Sequence, residues 1–201
     1  MYIPSFFEEH RPEAIASLID DYAFAILLTL PTEPDTPPWV SHLPLLYDVS
    51  ERTLHGHMAR ANPHWRAFQS RVSLAIFQGP HGYISPAWYP PRPDNVPTWN
   101  YAVVHAYGRP RLVEEPERAW ASMRKLVERN EQLSGTGWKL EENGVLEKKM
   151  SAIVVFAMPV ERFEAKFKLS QQQAPAVRAE VARALSESDA PSQRELGRWM
   201  R

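Results

Sequence analysis

The sequence predicts an α+β fold, mainly β in its core: a small β-barrel with inserted helices and a C-terminal helical appendage. Three observations carry the prediction. Short strand-like runs follow one another closely, helical segments are inserted between them, and no internal repeat is visible. Strands adjacent in sequence pair antiparallel, and closing them into a barrel removes exposed edges.

Pro12 opens a helix in which Ile15, Leu18 and Ile19 recur at helical spacing. Residues 22–30 read as a strand ended by Pro31, and a proline-rich loop over 31–38 leads to a second strand over 39–47. A third strand over 53–58 follows the turn-like Asp48-Val49-Ser50-Glu51. Asn62-Pro63 is a cap and first residue for a short helix through about Gln69. Residues 72–77 look like a buried strand, and a second proline-rich loop covers 85–98. Residues 99–107 and 111–113 read as paired strands around Gly108-Arg109-Pro110. Pro116 starts a helix through about Arg129, with Trp120, Met123, Leu126 and Val127 on one face. Residues 130–144 are polar and weakly patterned; 153–158 and 162–168 return to strand character. From Pro175 the tail is helical, with Val177, Val181 and Leu185 aligned, so the expected division is a barrel domain over 1–172 and a tail over 173–201.

Composition narrows the function. The chain has 201 residues, 44% of them hydrophobic and 23% charged, enough for one core. Cysteine is absent, which excludes disulfides, thiolate catalysis and cysteine-ligated metals. No apolar run approaches the roughly 20 residues that span a bilayer, and the acidic N-terminal stretch does not read as a signal peptide. A cytoplasmic location is the expectation. The net charge of −1 announces no polyanion-binding surface.

Motifs for common chemistries are missing: there is no HExxH, no GxSxG, no GxGxxG and no Walker lysine pattern. His55 and His57 lie two apart, so on one strand they share a face on which a metal could sit. No carboxylate is read as completing that site, and the favoured reading is two ordinary histidines with no metal. More telling is Gly56-His57-Met58-Ala59-Arg60-Ala61-Asn62-Pro63-His64-Trp65, where a strand end runs into a helix start. Arg60 and the helix N–H groups there suit a phosphate. Equally, Arg60 pairs with a surface carboxylate while Asn62 only caps the helix. A second stretch, residues 77–89, and a third, 96–101, are rich in aromatics, prolines and amides that can wall a planar ring. The same aromatics also suit a core or a dimer seam, which is the favoured reading from the residues alone.

Taken in order, these stretches resemble the PaiB family of FMN-binding negative transcriptional regulators. The matching pieces are Met1-Tyr2-Ile3-Pro4, Ser41-His42-Leu43-Pro44-Leu45-Leu46, Gly56-His57-Met58-Ala59-Arg60-Ala61-Asn62-Pro63, Gly79-Pro80-His81-Gly82-Tyr83-Ile84-Ser85-Pro86, Pro97-Thr98-Trp99-Asn100-Tyr101 with Val104-His105, and Lys168-Leu169-Ser170-Gln171. The resemblance implies an FMN-binding split β-barrel, similar to pyridoxamine-phosphate oxidases and flavin reductases, with FMN at a homodimer interface. By position, Ser41, His42, Leu43 and Pro44 would lie along the isoalloxazine edge, and His57 and Met58 beside the ribityl chain. Arg60 and Asn62 would hold the phosphate. Trp99 and Asn100 would be later-strand contacts, and Lys168, Ser170 and Gln171 would join the site by proximity. The proline-rich 31–38 loop departs from the family's shorter turn, Gln172 stands where Asn is common, and Ala87 where Ser is common.

Three functions follow. The first is a repressor, with DNA binding implied by the family alone: the tail mixes Arg178, Arg183, Arg194, Arg198 and Arg201 with Glu180, Glu187 and Glu195, a pattern of solvated helix faces. The second is an FMN-dependent oxidoreductase, of the flavin reductase or pyridoxamine-phosphate oxidase kind, with His42, His57, His81 and His105 as candidate proton donors and no catalytic residue singled out. The third is a haem-binding barrel.

Overall fold

The computed structural model describes residues 1–33, 35–68 and 71–201. Eight strands form one antiparallel sheet curled as a split barrel: β1 (Phe24–Thr29), β2 (Trp39–Pro44), β3 (Leu46–Asp48), β4 (Thr53–Ala59), β5 (Ser73–Ile84), β6 (Thr98–Gly108), β7 (Arg111–Leu112) and β8 (Ile153–Lys168). Their hydrogen-bonded order is β2-β1-β5-β6-β8-β4-β3, with β7 also beside β8. Five α-helices accompany them among the described residues: α1 (Pro12–Asp21), α2 (Pro116–Ser134), α3 (Gly144–Ser151), α4 (Pro175–Ser186) and α5 (Pro191–Trp199). None is long and apolar enough to cross a membrane.

The chain forms two compact units. The first comprises Met1–Tyr22, Gln78–Val104 and Glu164–Arg201; the second comprises Ala23–Phe77 and His105–Phe163.

In the second unit, β1 alternates as a half-buried strand should, with Ala25, Leu27 and Thr29 inward and Phe24 exposed. The expected single strand over 39–47 is two. The Leu45 N–H adds the last rung in the β1 register, to the Ala23 carbonyl at 2.9 Å; before Ala23 the chain is the C-cap of α1, so the ladder has no further partner to offer. The chain therefore changes partner: β2 pairs with β1, whereas β3 pairs with β4, Leu46 lying opposite His55. Gly56 lets β4 approach the core closely, since a Cβ there would stand 2.6 Å from Leu45 and 2.9 Å from Phe156. The pairing of β7 is also corrected. Arg111 lies opposite Ala157 of β8, so this short strand extends the β8 side of the sheet.

Other boundaries moved for local reasons. The helix after Asn62 is a 3-10 turn, Pro63–Ala67; Gln69, its expected end, lies outside the described residues, as does Pro34 of the first proline-rich loop. Helix α2 continues to Ser134 because the left-handed cap is supplied by Gly135 at φ 69°. Asn130 stays inside it, its side-chain amide bonding the Leu126 carbonyl at 2.8 Å. Helix α3 was not expected; Asn143 caps it by accepting from the N–H groups of Val145 and Leu146. The segments 153–158 and 162–168 are one strand, which passes through Pro159 because the next N–H, of Val160, bonds the Arg52 carbonyl at 2.9 Å.

In the first unit, Ile15, Leu18 and Ile19 of α1 are buried as their spacing predicts. The helical tail is two helices. Val181, Leu185 and Leu196 are fully buried, and Gly197 allows close approach: a Cβ would meet Ser186 Oγ at 2.7 Å and the Ala182 carbonyl at 2.9 Å. Gly82 on β5 packs against Leu196, and the Tyr22 hydroxyl donates to Glu195 at 2.6 Å.

Candidate functional site

The residues implied by the resemblance divide between the units: Ser41, His42, Leu43, Pro44, His57, Met58, Arg60 and Asn62 belong to the second, and Trp99, Asn100, Lys168, Ser170 and Gln171 to the first.

In the second unit, β2 turns Ser41 and Leu43 inward and His42 outward, where its ring stacks on Phe24 at 6.4 Å. Asn62 does cap its turn, accepting from the His64 N–H at 3.1 Å, and its amide donates to Ser41 Oγ at 3.0 Å. Ser41 Oγ lies 2.8 Å from His64 Nδ1, and His64 Nε2 lies 2.9 Å from Thr29 Oγ1. Thr29 in turn meets Ser73 Oγ at 2.6 Å. One continuous buried chain thus runs Asn62–Ser41–His64–Thr29–Ser73. Burial drives the His64 pKa down to about 4, so near neutral pH its imidazole is uncharged, with one donor and one acceptor nitrogen. Because the Asn62 amide donates to Ser41, a one-way chain needs Nδ1 as acceptor and Nε2–H as donor, so that each group from Asn62 to Thr29 donates to the next. His64, Thr29 and Ser73 were not singled out from the sequence. The available signal was the position of His64, two residues after a capping Asn, where its N–H bonds the cap and its ring turns inward.

Arg60 spends its guanidinium on backbone. Nε donates to the Ser151 carbonyl at 2.7 Å and Nη2 to the Ile153 carbonyl at 2.8 Å, which complements the C-terminal end of α3. Its own N–H bonds the Ala152 carbonyl at 2.8 Å. Nη1 makes no hydrogen bond among the described residues. Met58 is buried, and His57 is half-buried with its pKa lowered by desolvation. The His57 Nδ1 atom is buried without a hydrogen-bond partner among the described residues.

In the first unit, Asn100 on β6 is 1% exposed and donates to Ser170 Oγ at 2.9 Å and toward Met200 Sδ at 3.5 Å. Its Oδ1 is buried and has no donor among the described residues. Ser170 holds a left-handed conformation, φ 60°, immediately after β8. Gln171 closes that turn on itself, accepting from the Leu169 N–H at 2.7 Å and donating to the Phe167 carbonyl. Lys168 donates to Thr98 Oγ1, and its pKa is lowered first by burial and then by Lys166. Trp99 is 54% exposed, stacked on His81 at 6.3 Å. His105, the first residue of β6 that falls in the second unit, is half-buried, its ring 6.3 Å from that of Tyr107.

The polar groups of each set match the chemistry of the flavin implied by the resemblance. β2 ends the strand order and pairs with β1 alone among the described residues, so its outer N–H and C=O groups present alternating donors and acceptors. That is the polarity of a flavin's pyrimidine edge. The bare Asn100 Oδ1 and His57 Nδ1 atoms are buried polar groups of the kind that a ligand satisfies.

Comparison with known proteins places these residues in context. The model of the family described as "Putative FMN-binding domain" matches residues 1–162. The chain is 33% identical over 205 residues to "Protease synthase and sporulation protein PAI 2" of Bacillus subtilis (strain 168), covering 100% of this chain and 96% of that protein. An "Uncharacterized protein AN0679" of Emericella nidulans is 29% identical, covering 86% of this chain and 85% of its own length. Among solved structures, the flavocytochrome Anf3 of Azotobacter vinelandii superposes with a TM-score of 0.63 at 13% identity, over 83% of this chain and 72% of that one. An FAD and heme binding protein of Mycobacterium smegmatis gives 0.62 at 12% identity, over 80% and 73%. These two likenesses establish the split-barrel fold.

Proposed function

The chain belongs to the FMN-binding domain family matched over residues 1–162, and from that premise we propose that it binds FMN as a cytoplasmic homodimer of the PaiB type and acts as a negative transcriptional regulator. The family match is the observation that carries this reading. It includes Ser41–Pro44, His57, Met58, Arg60, Asn62, Trp99 and Asn100, whereas Lys168, Ser170 and Gln171 lie beyond its end.

When bound, FMN would supply reversible hydride or electron chemistry. The chain's own residues would bind and orient it. The outer edge of β2 at Ser41–Pro44 would bond the ring edge, with Ser41 held from behind by His64. Arg60 would bind the phosphate through Nη1, its other two nitrogens fixing the direction of the guanidinium plane. Asn62 would support that site by locking the turn. His57 and Met58 would line the ribityl chain, and Trp99 and Asn100 would contribute at the dimer interface, Asn100 through its bare carbonyl. Lys168, Ser170 and Gln171 would brace that second set.

Binding to the protein's own upstream DNA tests the regulatory part. Affinity in the specific range with a steep salt slope supports direct repression, and weak binding with a flat slope removes it. The tail offers little for that contact, since Arg183 is already bound by Glu180 and Glu187. A second reading, FMN-dependent oxidoreduction, draws on His57: a neutral, desolvated imidazole with a bare Nδ1 can hold a proton at that atom. Bleaching of bound flavin by NADH or NADPH at a useful rate supports it; no bleaching by either donor sinks it.

The phosphate assignment is tested by titrating FMN and riboflavin into wild type and Arg60→Ala. Loss of a charge-assisted bond of about 1.5–3 kcal/mol weakens FMN roughly tenfold to a hundredfold and leaves riboflavin unchanged. Equal weakening of both ligands would make Arg60 a structural tie to α3.

A further inference from the structure

The turn joining β3 to β4 gathers three side chains that had no assigned role. Asp48 ends β3, Glu51 sits in the turn and His55 lies on β4; one ligand atom from each lies within 4.8 Å of the other two. The earlier expectation that no carboxylate accompanies His55 fails because the turn folds back, bringing residues four and seven positions earlier onto the same imidazole. His57, its expected companion, is not a member of the group.

The cluster is preorganised. Asp48 Oδ1 accepts from the Ser50 N–H at 3.0 Å, the Ser50 hydroxyl at 2.6 Å and the Glu51 N–H at 3.1 Å, which fixes the carboxylate plane. Oδ2 faces the Lys125 ammonium of α2 at 3.1 Å. His55 is 8% exposed, and both its ring nitrogens are buried without a hydrogen bond among the described residues. Its Nε2 stands 3.5 Å from Glu51 Oε2, a contact that does not meet hydrogen-bond geometry. Two ligands each about 2.0–2.1 Å from one tetrahedral ion lie roughly 3.3 Å apart, close to that separation. A buried imidazole with both nitrogens bare, beside two carboxylates, calls for a partner.

We propose that Asp48, Glu51 and His55 form a site for one divalent transition-metal ion of the zinc type. Two carboxylates and an imidazole suit zinc, whereas magnesium and calcium take oxygen donors. Two of the ligands, Glu51 and His55, border a cavity of about 670 Å³, also lined by Arg111, Arg118, Ser122 and Lys125. The remaining coordination position opens toward that cavity, where water or an anionic group completes the ion's shell. Lys125 holds the place of the cation on Asp48 and competes with the metal, so binding expels its ammonium. None of these residues is among the flavin contacts proposed above, so the site stands or falls separately from flavin binding.

The test is calorimetric titration of zinc into the untagged, chelator-treated full-length protein, with cobalt(II) absorption as a spectroscopic readout. One zinc per chain is expected, together with a ligand-field spectrum of low-symmetry cobalt and no heat with magnesium. His55→Ala and Glu51→Gln each weaken binding by at least about tenfold. Lys125→Met tightens it, an outcome that a merely structural cluster does not produce, and it leaves every proposed ligand in place. The proposal is overturned by no zinc uptake in wild type, by His55→Ala binding zinc as wild type does, or by weaker binding in Lys125→Met. Thermal melts of each variant establish that it is folded before titration.

Discussion

In the second unit, Asn62, Ser41, His64, Thr29 and Ser73 hand hydrogen bonds along one continuous buried chain. In the first, Asn100 donates to Ser170 and Met200 and leaves its carbonyl oxygen bare. Both arrangements are buried, but their polar capacity is spent differently. A closed chain fixes the backbone around it and has nothing to offer a ligand except the surface it holds in place. An open valence has a cost in the isolated chain that a ligand or partner can offset. The contrast separates positioning residues, His64 above all, from residues with a bond still to make.

The largest test removes the centre of the closed chain. His64→Ala leaves Ser41 Oγ and Thr29 Oγ1 buried and short of partners, and it deletes a ring packed at 5.4 Å against Phe68. Urea unfolding should show a loss on the order of 3–4 kcal/mol; a loss below about 1 kcal/mol would mean that the chain does not hold the fold.

Acid provides the second test. The folded pKa of His64, about 4, lies below its unfolded value, so between roughly pH 6.5 and 4 the unfolded state binds the extra proton. Stability is therefore unaffected by this group above that window and falls as the pH drops through it, by about 3 kcal/mol in total. His57, also lowered by burial, acts in the same direction. A flat stability profile from pH 7 to 4 would contradict the burial of a neutral His64.

Smaller effects belong to the first unit. Asn100→Ala loses the bond to Ser170 but also removes the bare carbonyl, so about 1–2 kcal/mol is the expected loss by thermal or urea unfolding. A loss as large as that of His64→Ala would erase the distinction between the units. Gln171→Ala opens only the turn after β8 and should cost no more than about 1 kcal/mol, read as a shift in urea midpoint at constant slope.

Much of the fold was legible where periodicity and proline coincide. The α1 face of Ile15, Leu18 and Ile19 and the alternation of β1 follow directly from burial on one side. Elements were missed where a single hydrogen bond decided the path. The Leu45 N–H makes the last bond to the β1 side before the chain passes to β4, Gly135 rather than Asn130 ends α2, and Arg52 carries β8 past Pro159. Helix α3 buries no residue fully, so no amphipathic pattern announces it; its Asn143 cap does. At the site, the pairing of Arg60 with Asn62 was visible as spacing, yet their partners were not. Ser151 and Ile153 reach Arg60 from more than ninety positions away, and no local pattern encodes that contact. His64 was hidden for a different reason: it sits in a short turn between Pro63 and Trp65 with no periodic pattern to mark an inward face, and only tertiary packing turns the ring inward.

Flavin binding is the claim on which the functional reading rests, and one measurement addresses it most directly: FMN titration of the purified chain, followed by size-exclusion chromatography with full-spectrum detection. The prediction is one FMN per chain, co-eluting with a dimer, showing the two visible absorption bands of an oxidised flavin and dissociating as dilution releases monomer. Elution of the chain without flavin, or with a Soret band in its place, would contradict it.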